Sequence, residues 1–317
     1  MISLNEAYKI FLSSHNSSEI LKAHDIPIGN ILELDTKIRV SLEKALNEED
    51  LSRENVLALT QIEIENVSIL MSVSNFLRTK YKGNLISFSK NFFIPLTQLC
   101  RDNCSYCTFK YEPGEGDLLY SPERVLEAAK KSLELGCTEM LFVSGDKPEL
   151  VYEEYRRELN KMGYESTSDY MIAMSELCLE EGIFPHSNLG IAKIEELKRF
   201  KNSNPSMGLM LESISERLMD PGEAHYRCPD KYPRARIKTI SDAGRLSIPW
   251  TTGILIGIGE TWEERVDSIF ELKRISDEFG HIQEIIIQNF SPKPGIKMEG
   301  SPVPTDLDMI KTVAISK

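Results

Sequence analysis

The spacing of hydrophobic positions changes near residue 83. Between residues 54 and 80, apolar side chains recur every three or four positions, which is the spacing of one face of a helix. Basic residues and then Gly83 follow this stretch and indicate where the helix ends. Residues 1–82 are therefore predicted to form an N-terminal helical segment.

After residue 83, short apolar runs alternate with amphipathic stretches. The runs, which have the length and composition of buried strands, are 85–97, 139–144, 183–189, 207–213, 249–257 and 284–290. The amphipathic stretches, which predict helices, are 121–136, 149–161, 168–181, 191–201, 231–244, 261–279 and 307–317. The first of these helices has marked boundaries, with Ser121 as N-cap, Pro122 in the first turn and Gly136 after its end.

This alternation predicts an α/β fold with parallel strands joined by crossover helices. No glycine-rich dinucleotide-binding fingerprint follows the first run, so the pattern favours a TIM-like barrel over a Rossmann sheet. The predicted barrel occupies residues 83–317 and has six βα units where a full barrel has eight. We therefore expect either a partial barrel or one whose last units are truncated, with its functional residues at the C-terminal ends of the strands.

Composition and charge narrow the classes of function. The chain has 317 residues and is 41% hydrophobic, so it can bury a large core. Its net charge of −12 argues against a nucleic-acid surface, because phosphate binding needs clustered Lys and Arg. No run approaches the roughly 18 apolar residues of a membrane span, and MISLNEAYKIF at the N-terminus lacks the apolar core of a signal peptide. We therefore expect a cytoplasmic protein that binds neither nucleic acid nor membrane.

Three of the six cysteines lie within eight residues. Cys100, Cys104 and Cys107 follow the first predicted strand with the spacing C-x3-C-x2-C. A structural zinc site normally needs four ligands, and the remaining cysteines at positions 137, 178 and 228 stand alone and are expected to be small buried hydrophobes. Three thiolates in one loop suit three corners of a 4Fe–4S cluster and leave the fourth iron to a non-protein ligand.

The motif resembles that of the radical S-adenosylmethionine (SAM) superfamily, in which an aromatic residue, here Tyr106, precedes the last cysteine. The resemblance implies that Cys100, Cys104 and Cys107 bind the cluster. It also implies that SAM chelates the fourth iron through its amino and carboxylate groups. One electron from the cluster then cleaves SAM to a 5′-deoxyadenosyl radical, which abstracts hydrogen from the substrate.

Polar groups at the other predicted strand ends suit such a cofactor. The resemblance implies that Ser144-Gly145-Asp146 receives the SAM amino group, with Asp replacing the Glu of the family's Gly-Gly-Glu loop. It implies further contacts from Glu212 to the ribose or amino group, from Arg236 to the carboxylate, and from the Gly257 segment to the adenine. Taken singly, such residues are as often turn or capping residues, so it is their recurrence at successive strand ends that favours binding.

His186 and Asn188 lie near the end of the third predicted strand and are expected at the same C-terminal end of the barrel. A neutral histidine there can orient a substrate or move a proton. An equally strong alternative is a structural histidine whose ring nitrogens hydrogen-bond to backbone groups. Asp146, His186 and Tyr111 are therefore candidates for proton handling, with Asp146 and His186 as the predicted catalytic residues.

Longer segments narrow the resemblance. FIPLTQLCRDNCSYCTF, MGLMLESISERLMDPGEAHYRCPDKYP, DAGRLSIPWTTGILIGIGET and IIIQNFSPKPGIKM are similar to the deazaflavin-forming 7,8-didemethyl-8-hydroxy-5-deazariboflavin synthases. These segments spread over roughly residues 85–300. They imply a ring-closing, ammonia-releasing lyase of deazaflavin coenzyme (factor 420) biosynthesis. Its substrate would come from a partner radical SAM subunit that joins tyrosine to a ribityl-diaminouracil, and its electrons from a reductase or a ferredoxin-type donor.

Three other functions remain open from the sequence. The first is a sister radical SAM activity, either the tyrosine–uracil coupling subunit or a biotin-synthase-like enzyme. The second is an iron–sulfur electron carrier that does not bind SAM, which would need four protein ligands per cluster. The third is a structural zinc module, which would bind zinc and no iron.

Overall fold

One sheet of six parallel strands forms the centre of the fold. The computed structural model describes residues 34–317, so the part of the predicted helical segment before residue 34 lies outside the described residues. The strands are β1 (Asn91–Thr97), β2 (Glu139–Ser144), β3 (Phe184–Asn188), β4 (Ser206–Gly208), β5 (Trp250–Ile256) and β6 (Ile282–Asn289). They pair in chain order, every pair is parallel, and the predicted α/β class is confirmed.

Ten α-helices are described in residues 34–317. They are α1 (Thr36–Leu46), α2 (Arg53–Thr60), α3 (Val67–Lys82), α4 (Pro122–Glu134), α5 (Glu153–Lys161), α6 (Thr167–Glu181), α7 (Ile194–Phe200), α8 (Pro233–Arg245), α9 (Trp262–Phe279) and α10 (Asp306–Ile315). The predicted start of α4 is confirmed, because the Ser121 hydroxyl accepts a hydrogen bond from the Arg124 N–H and Pro122 opens the helix. Helices follow the strands as the alternation predicted.

Two strand predictions were wrong in extent. β1 begins at Asn91 instead of residue 85, because Asn91 pairs with Glu139, the first residue of its partner strand. Leu85 and Phe88 are accordingly 82% and 87% exposed. β4 ends at Gly208, since the chain leaves the ladder there and returns only as a single bridge from Glu212 to Ile254. At Glu212 the backbone has a φ of 66°, which ordinary strand geometry excludes.

The described residues form two compact units. One contains residues 34–86, Thr261–Phe270 and Pro304–Lys317, and the other contains Ser87–Glu260 and Glu271–Val303 with the whole sheet. The predicted division of the sequence at residue 82 stays a prediction. No single helix in the part of the chain that the structure describes has the length and apolar composition of a membrane span, although α2 and α3 together reach them as a bent pair.

The prediction of one continuous helix over 54–80 was wrong. α2 ends at Thr60, a 3-10 turn covers Ile64–Asn66, and the helical axis bends by 107° before α3 continues to the predicted stop at Gly83. Ile62, within the break, is buried with residues of both helices in one core. The Lys311 ammonium donates to the Thr60 carbonyl at 2.9 Å, which satisfies an acceptor that the broken helix exposes. The apolar spacing persists because both helices face the same core.

Candidate cluster and cofactor site

The cysteine loop leaves the C-terminal end of β1, where the sequence placed it. The Arg101 N–H donates to the Asp146 carbonyl at 2.9 Å, and the Ser105 N–H donates to the Ala224 carbonyl at 2.9 Å. Within the loop, the Cys107 N–H donates to the Cys104 carbonyl at 3.1 Å. These bonds hold three half-buried, free thiols, those of Cys100, Cys104 and Cys107, in one segment against the end of β2.

Cys100 lies closest to the chain that follows β2. Its sulfur accepts a hydrogen bond from the Asp146 N–H at 3.1 Å. Burial, together with the charges of Asp146 and Asp102, raises the pKa of the Cys100 thiol to about 12. A thiolate at this position therefore needs a positive partner, and a metal ion that displaces the thiol proton meets that need.

Gly145 makes this approach possible. A Cβ on Gly145 would lie 2.0 Å from the Leu99 carbonyl oxygen and 2.6 Å from the Cys100 Cβ, so a side chain does not fit. The Gly145 N–H donates to the Thr97 carbonyl at 3.0 Å. Ser144, the last residue of β2, precedes it directly. The predicted Ser144-Gly145-Asp146 segment thus lies against the cysteine loop.

Three aspartates surround the loop; Asp102 and Asp230 are buried, and Asp146 is half-buried. Ligand oxygens of Asp102, Asp146 and Asp230 lie within 4.8 Å of one another. Within residues 34–317, Asp102 Oδ2 and Asp146 Oδ1 are buried without a hydrogen-bond partner. Burial raises the pKa of Asp146, and burial with the neighbouring charges of Asp146 and Asp230 raises the pKa of Asp102 to about 7. The two orphaned oxygens can accept from a cationic or N–H-bearing ligand.

The carboxylate of Asp230 has a partner within the protein. The Arg101 guanidinium donates two hydrogen bonds to the Asp230 carboxylate. Arg236 donates from Nε to the Met210 carbonyl at 2.6 Å and from Nη1 to the Asp230 carbonyl at 2.8 Å. Since Arg236 is buried, these bonds fix the loop that carries Asp230.

Glu212 projects from the strained position after β4. Its Oε1 accepts from the Lys231 ammonium at 2.7 Å and lies 4.0 Å from Arg236 Nη2. Its Oε2 is buried and has no partner in the described part of the chain. Although burial acts to raise it, the positive charges of Lys231 and Arg236 hold the pKa of Glu212 below its usual value. Glu212 is therefore an ionised acceptor with one free oxygen.

Tyr106 is fixed by a histidine that sequence reasoning passed over. The Tyr106 hydroxyl lies 3.0 Å from His225 Nε2, and the two rings are edge-on with centroids 5.6 Å apart. Burial lowers the pKa of His225 to about 3, so the imidazole that pairs with the tyrosine hydroxyl is neutral. Only the aromatic position of the cysteine motif pointed to Tyr106, and no spacing rule pointed to its partner.

A cavity of about 420 Å³ opens between the cysteine loop and the loop after β5. Its lining includes Ser105, Ala224, Gly257, Ile258 and Met298. Gly257 has a φ of 89°, and its N–H donates to the Glu260 carboxylate at 2.8 Å. The left-handed backbone lets the chain turn away from β5 and leaves the cavity open.

His186 lies apart from this group. Its Nδ1 is 2.7 Å from the Ser206 hydroxyl and 3.9 Å from the Glu139 carboxylate, on the first residues of β4 and β2. Its Nε2 lies on the side of Gly208, the last residue of β4, 3.1 Å from where a Cβ on that glycine would stand. Burial lowers the pKa of His186 to about 4. Its catalytic role stays a prediction, as does that of Tyr111, which is 41% exposed.

Two of the lone cysteines, Cys178 and Cys228, differ in their contacts. Cys178 is buried within α6, in keeping with a structural residue. Cys228 is also buried, but its sulfur accepts from the Asn103 N–H at 3.3 Å, beside Cys104 in the cysteine loop. Sequence separation hid this contact.

Comparison with known proteins points to one family. The family model described as the radical SAM superfamily matches residues 94–272. The 7,8-didemethyl-8-hydroxy-5-deazariboflavin synthase of Methanopyrus kandleri is 48% identical over 235 residues, which cover 74% of this chain and 70% of that protein. The synthase of Methanothermobacter thermautotrophicus is 51% identical over 232 residues, covering 73% and 70%. The FO synthase of Mycobacterium tuberculosis is 46% identical over 239 residues, covering 73% of this chain and 28% of that protein.

Solved structures share the fold. The FeFe-hydrogenase maturase HydG from Carboxydothermus hydrogenoformans superposes with a TM-score of 0.69 at 22% identity, covering 98% of this chain and 68% of that chain. Methylornithine synthase (PylB) superposes with a TM-score of 0.68 at 18% identity, covering 87% and 75%. At these identities the likeness concerns the architecture alone.

Proposed function

Because this chain belongs to the radical SAM superfamily and, within it, to the 7,8-didemethyl-8-hydroxy-5-deazariboflavin synthases, we propose that it closes the deazaflavin ring. The substrate is 5-amino-5-(4-hydroxybenzyl)-6-(D-ribitylimino)-5,6-dihydrouracil, and the products are 7,8-didemethyl-8-hydroxy-5-deazariboflavin and ammonia. The enzyme is then a carbon–nitrogen lyase working in the cytoplasm. A partner subunit supplies the substrate, and a reductase or ferredoxin supplies electrons.

One observation carries the proposal at the site: the sulfur of Cys100 contacts the Asp146 N–H, so the cysteine loop and the segment after β2 form one surface. The donor set fits the group that the family implies, because three thiols in one loop match three irons and no fourth cysteine follows in the motif. Orphaned oxygens on Asp146 and Glu212 fit the ammonium and hydroxyl groups of SAM.

We assign cluster binding to Cys100, Cys104 and Cys107, with SAM on the fourth iron. When bound, the cluster and SAM together supply one-electron cleavage and removal of a hydrogen atom from the substrate. The protein's part is to release the thiol protons, hold the loop through Arg101 and Ser105, and exclude water from the sulfurs.

For SAM itself, we assign the amino group to the Ser144–Asp146 segment and the ribose to Glu212. Arg236 uses Nε and Nη1 on backbone carbonyls, so Nη2 is its donor toward the SAM carboxylate. The adenine occupies the cavity beside Gly257.

Ring closure also requires proton movement. The amino nitrogen of the substrate must gain a proton before it leaves as neutral ammonia. Aromatisation of the ring then releases a proton. We assign proton donation to Asp146, because burial raises its pKa and so favours the protonated carboxyl. We assign proton acceptance to His186, which is neutral and weakly basic because burial lowers its pKa to about 4.

The test starts from anaerobic reconstitution with iron and sulfide, followed by SAM and a chemical reductant. We expect 5′-deoxyadenosine from the original chain and none from Cys104→Ala, with Cys137→Ala as the matched cysteine control. Adding the tyrosine–uracil adduct should then yield the deazaflavin chromophore and ammonia. SAM cleavage without that product would support a sister radical SAM activity, and a cluster without SAM cleavage would support an electron carrier. The curated relatives favour neither alternative.

A further inference from the structure

The loop that carries Cys228 packs against the cysteine loop beside Cys104. Cys228 stands in the loop before α8, 124 positions away in sequence, and is 1% exposed. Its sulfur accepts from the Asn103 N–H at 3.3 Å, so it lies against the backbone directly before Cys104. Cys104 is half-buried and is the more accessible of the two.

Several bonds hold the two loops together. The Ser105 N–H donates to the Ala224 carbonyl at 2.9 Å, and the Asp230 N–H donates to Asp102 Oδ1 at 3.2 Å. The Arg101 guanidinium also grips the Asp230 carboxylate. Because these bonds flank Cys104 and Cys228 on both sides, the two loops stay together without help from a ligand. A disulfide between Cys104 and Cys228 would therefore join two loops that already pack against each other.

We propose that Cys104 and Cys228 form a reversible disulfide in the cluster-free protein, which withholds Cys104 from the cluster until the bond is reduced. The oxidant is a hydroperoxide such as hydrogen peroxide. It oxidises the Cys104 thiol to a sulfenic acid and releases water. The Cys228 sulfur then attacks the Cys104 sulfur, the S–S bond forms, and a second water leaves.

The step is balanced, since two thiols lose two electrons and two protons and one peroxide becomes two waters. It also stops Cys104 from reaching the irreversible sulfinic and sulfonic states. Formation of the disulfide is independent of the proposed function, whereas its effect on cluster loading rests on that proposal.

Trypsin places the relevant cysteines on three different peptides. Cleavage after Lys and Arg releases NFFIPLTQLCR (91–101) with Cys100, DNCSYCTFK (102–110) with Cys104 and Cys107, and CPDK (228–231) with Cys228. Full-length, cluster-free protein is treated with hydrogen peroxide, its remaining thiols are alkylated, and the peptides are analysed by mass spectrometry. We expect CPDK linked to DNCSYCTFK, with fragment ions that place the bond on Cys104 and with Cys137 alkylated as internal control.

A disulfide that joins CPDK to Cys107 overturns the proposal. The proposal is also overturned if Cys104 forms its disulfide with Cys100 or Cys107 while Cys228 is alkylated. Cys228→Ser serves as the variant. Peroxide-treated original chain should lose iron uptake and recover it after dithiothreitol, whereas Cys228→Ser should fail to recover because Cys104 oxidises further. If that variant does not fold, the peptide map of the original chain decides alone. Neither readout uses substrate, so failure of ring closure leaves the result intact.

Discussion

The Asp146 N–H donates a hydrogen bond to the sulfur of Cys100 at 3.1 Å. This contact joins the loop after β1 to the loop after β2 and brings a buried carboxylate beside the cysteines. It depends on Gly145, where a side chain would strike the Leu99 carbonyl. The geometry of the site is therefore set by a residue without any functional group.

We predict that Gly145→Ala abolishes cluster loading. The added Cβ would meet backbone at 2.0 Å, so the two loops must separate, at a cost of about 1–3 kcal/mol in the free energy of unfolding. Iron content after reconstitution and urea unfolding measure the two effects. Gly300→Ala is the control, because a Cβ at Gly300 meets nothing within 4 Å. Full iron content in Gly145→Ala would contradict the prediction.

We predict that Glu212→Gln weakens both SAM binding and the fold. It leaves the Lys231 ammonium, 2.7 Å away, buried without its carboxylate, and such a loss costs about 3–5 kcal/mol in the free energy of unfolding. Glu216→Gln removes a half-exposed partner of Arg234 and should cost about 0–1 kcal/mol. Equilibrium dialysis with SAM and chemical denaturation test the pair. Equal effects from the two substitutions would sink this reading of Glu212.

We predict that His186 makes the protein less stable as the pH falls. Burial lowers its pKa to about 4 from an ordinary value of 6.5, so only the unfolded chain gains a proton between these values. The stabilisation is complete above pH 6.5 and is lost toward pH 4, by at most about 3 kcal/mol.

His186→Gln keeps a side chain that can hydrogen-bond to Ser206 and removes this titration. Denaturation of both proteins at several pH values between 7 and 4 isolates the contribution of His186 from that of His225, which both proteins retain. Parallel curves for the two proteins would show that His186 does not titrate as described.

We predict that Tyr106→Phe lowers stability by about 1–3 kcal/mol, because it leaves His225 Nε2 buried without its hydrogen-bond partner. Tyr111→Phe is the matched control at an exposed position and should change stability by less than about 0.5 kcal/mol. Urea unfolding compares the variants directly. If Tyr106→Phe behaves like the control, the hydroxyl–imidazole bond contributes nothing.

Local patterns predicted the elements of the sheet well. All six strands lie within or beside their predicted runs, and β2 coincides with residues 139–144. The failures have one cause: β1 starts late and β4 stops early because a strand exists only where a partner strand offers hydrogen bonds. Likewise, the spacing of apolar residues over 54–80 does not reveal the bend between α2 and α3, because both helices face the same core.

The sequence by itself determined the α/β class, the position of the cysteine loop after the first strand, and the strand end that is followed by Asp146. These follow from spacing and from the rule that parallel strands end on one edge. Only the tertiary structure decided that Asp102, Asp146 and Asp230 converge, that His225 contacts Tyr106, and that Cys228 lies against the backbone beside Cys104. Such contacts join residues that lie far apart along the chain. They depend on how loops pack after the sheet has formed, which no local pattern encodes.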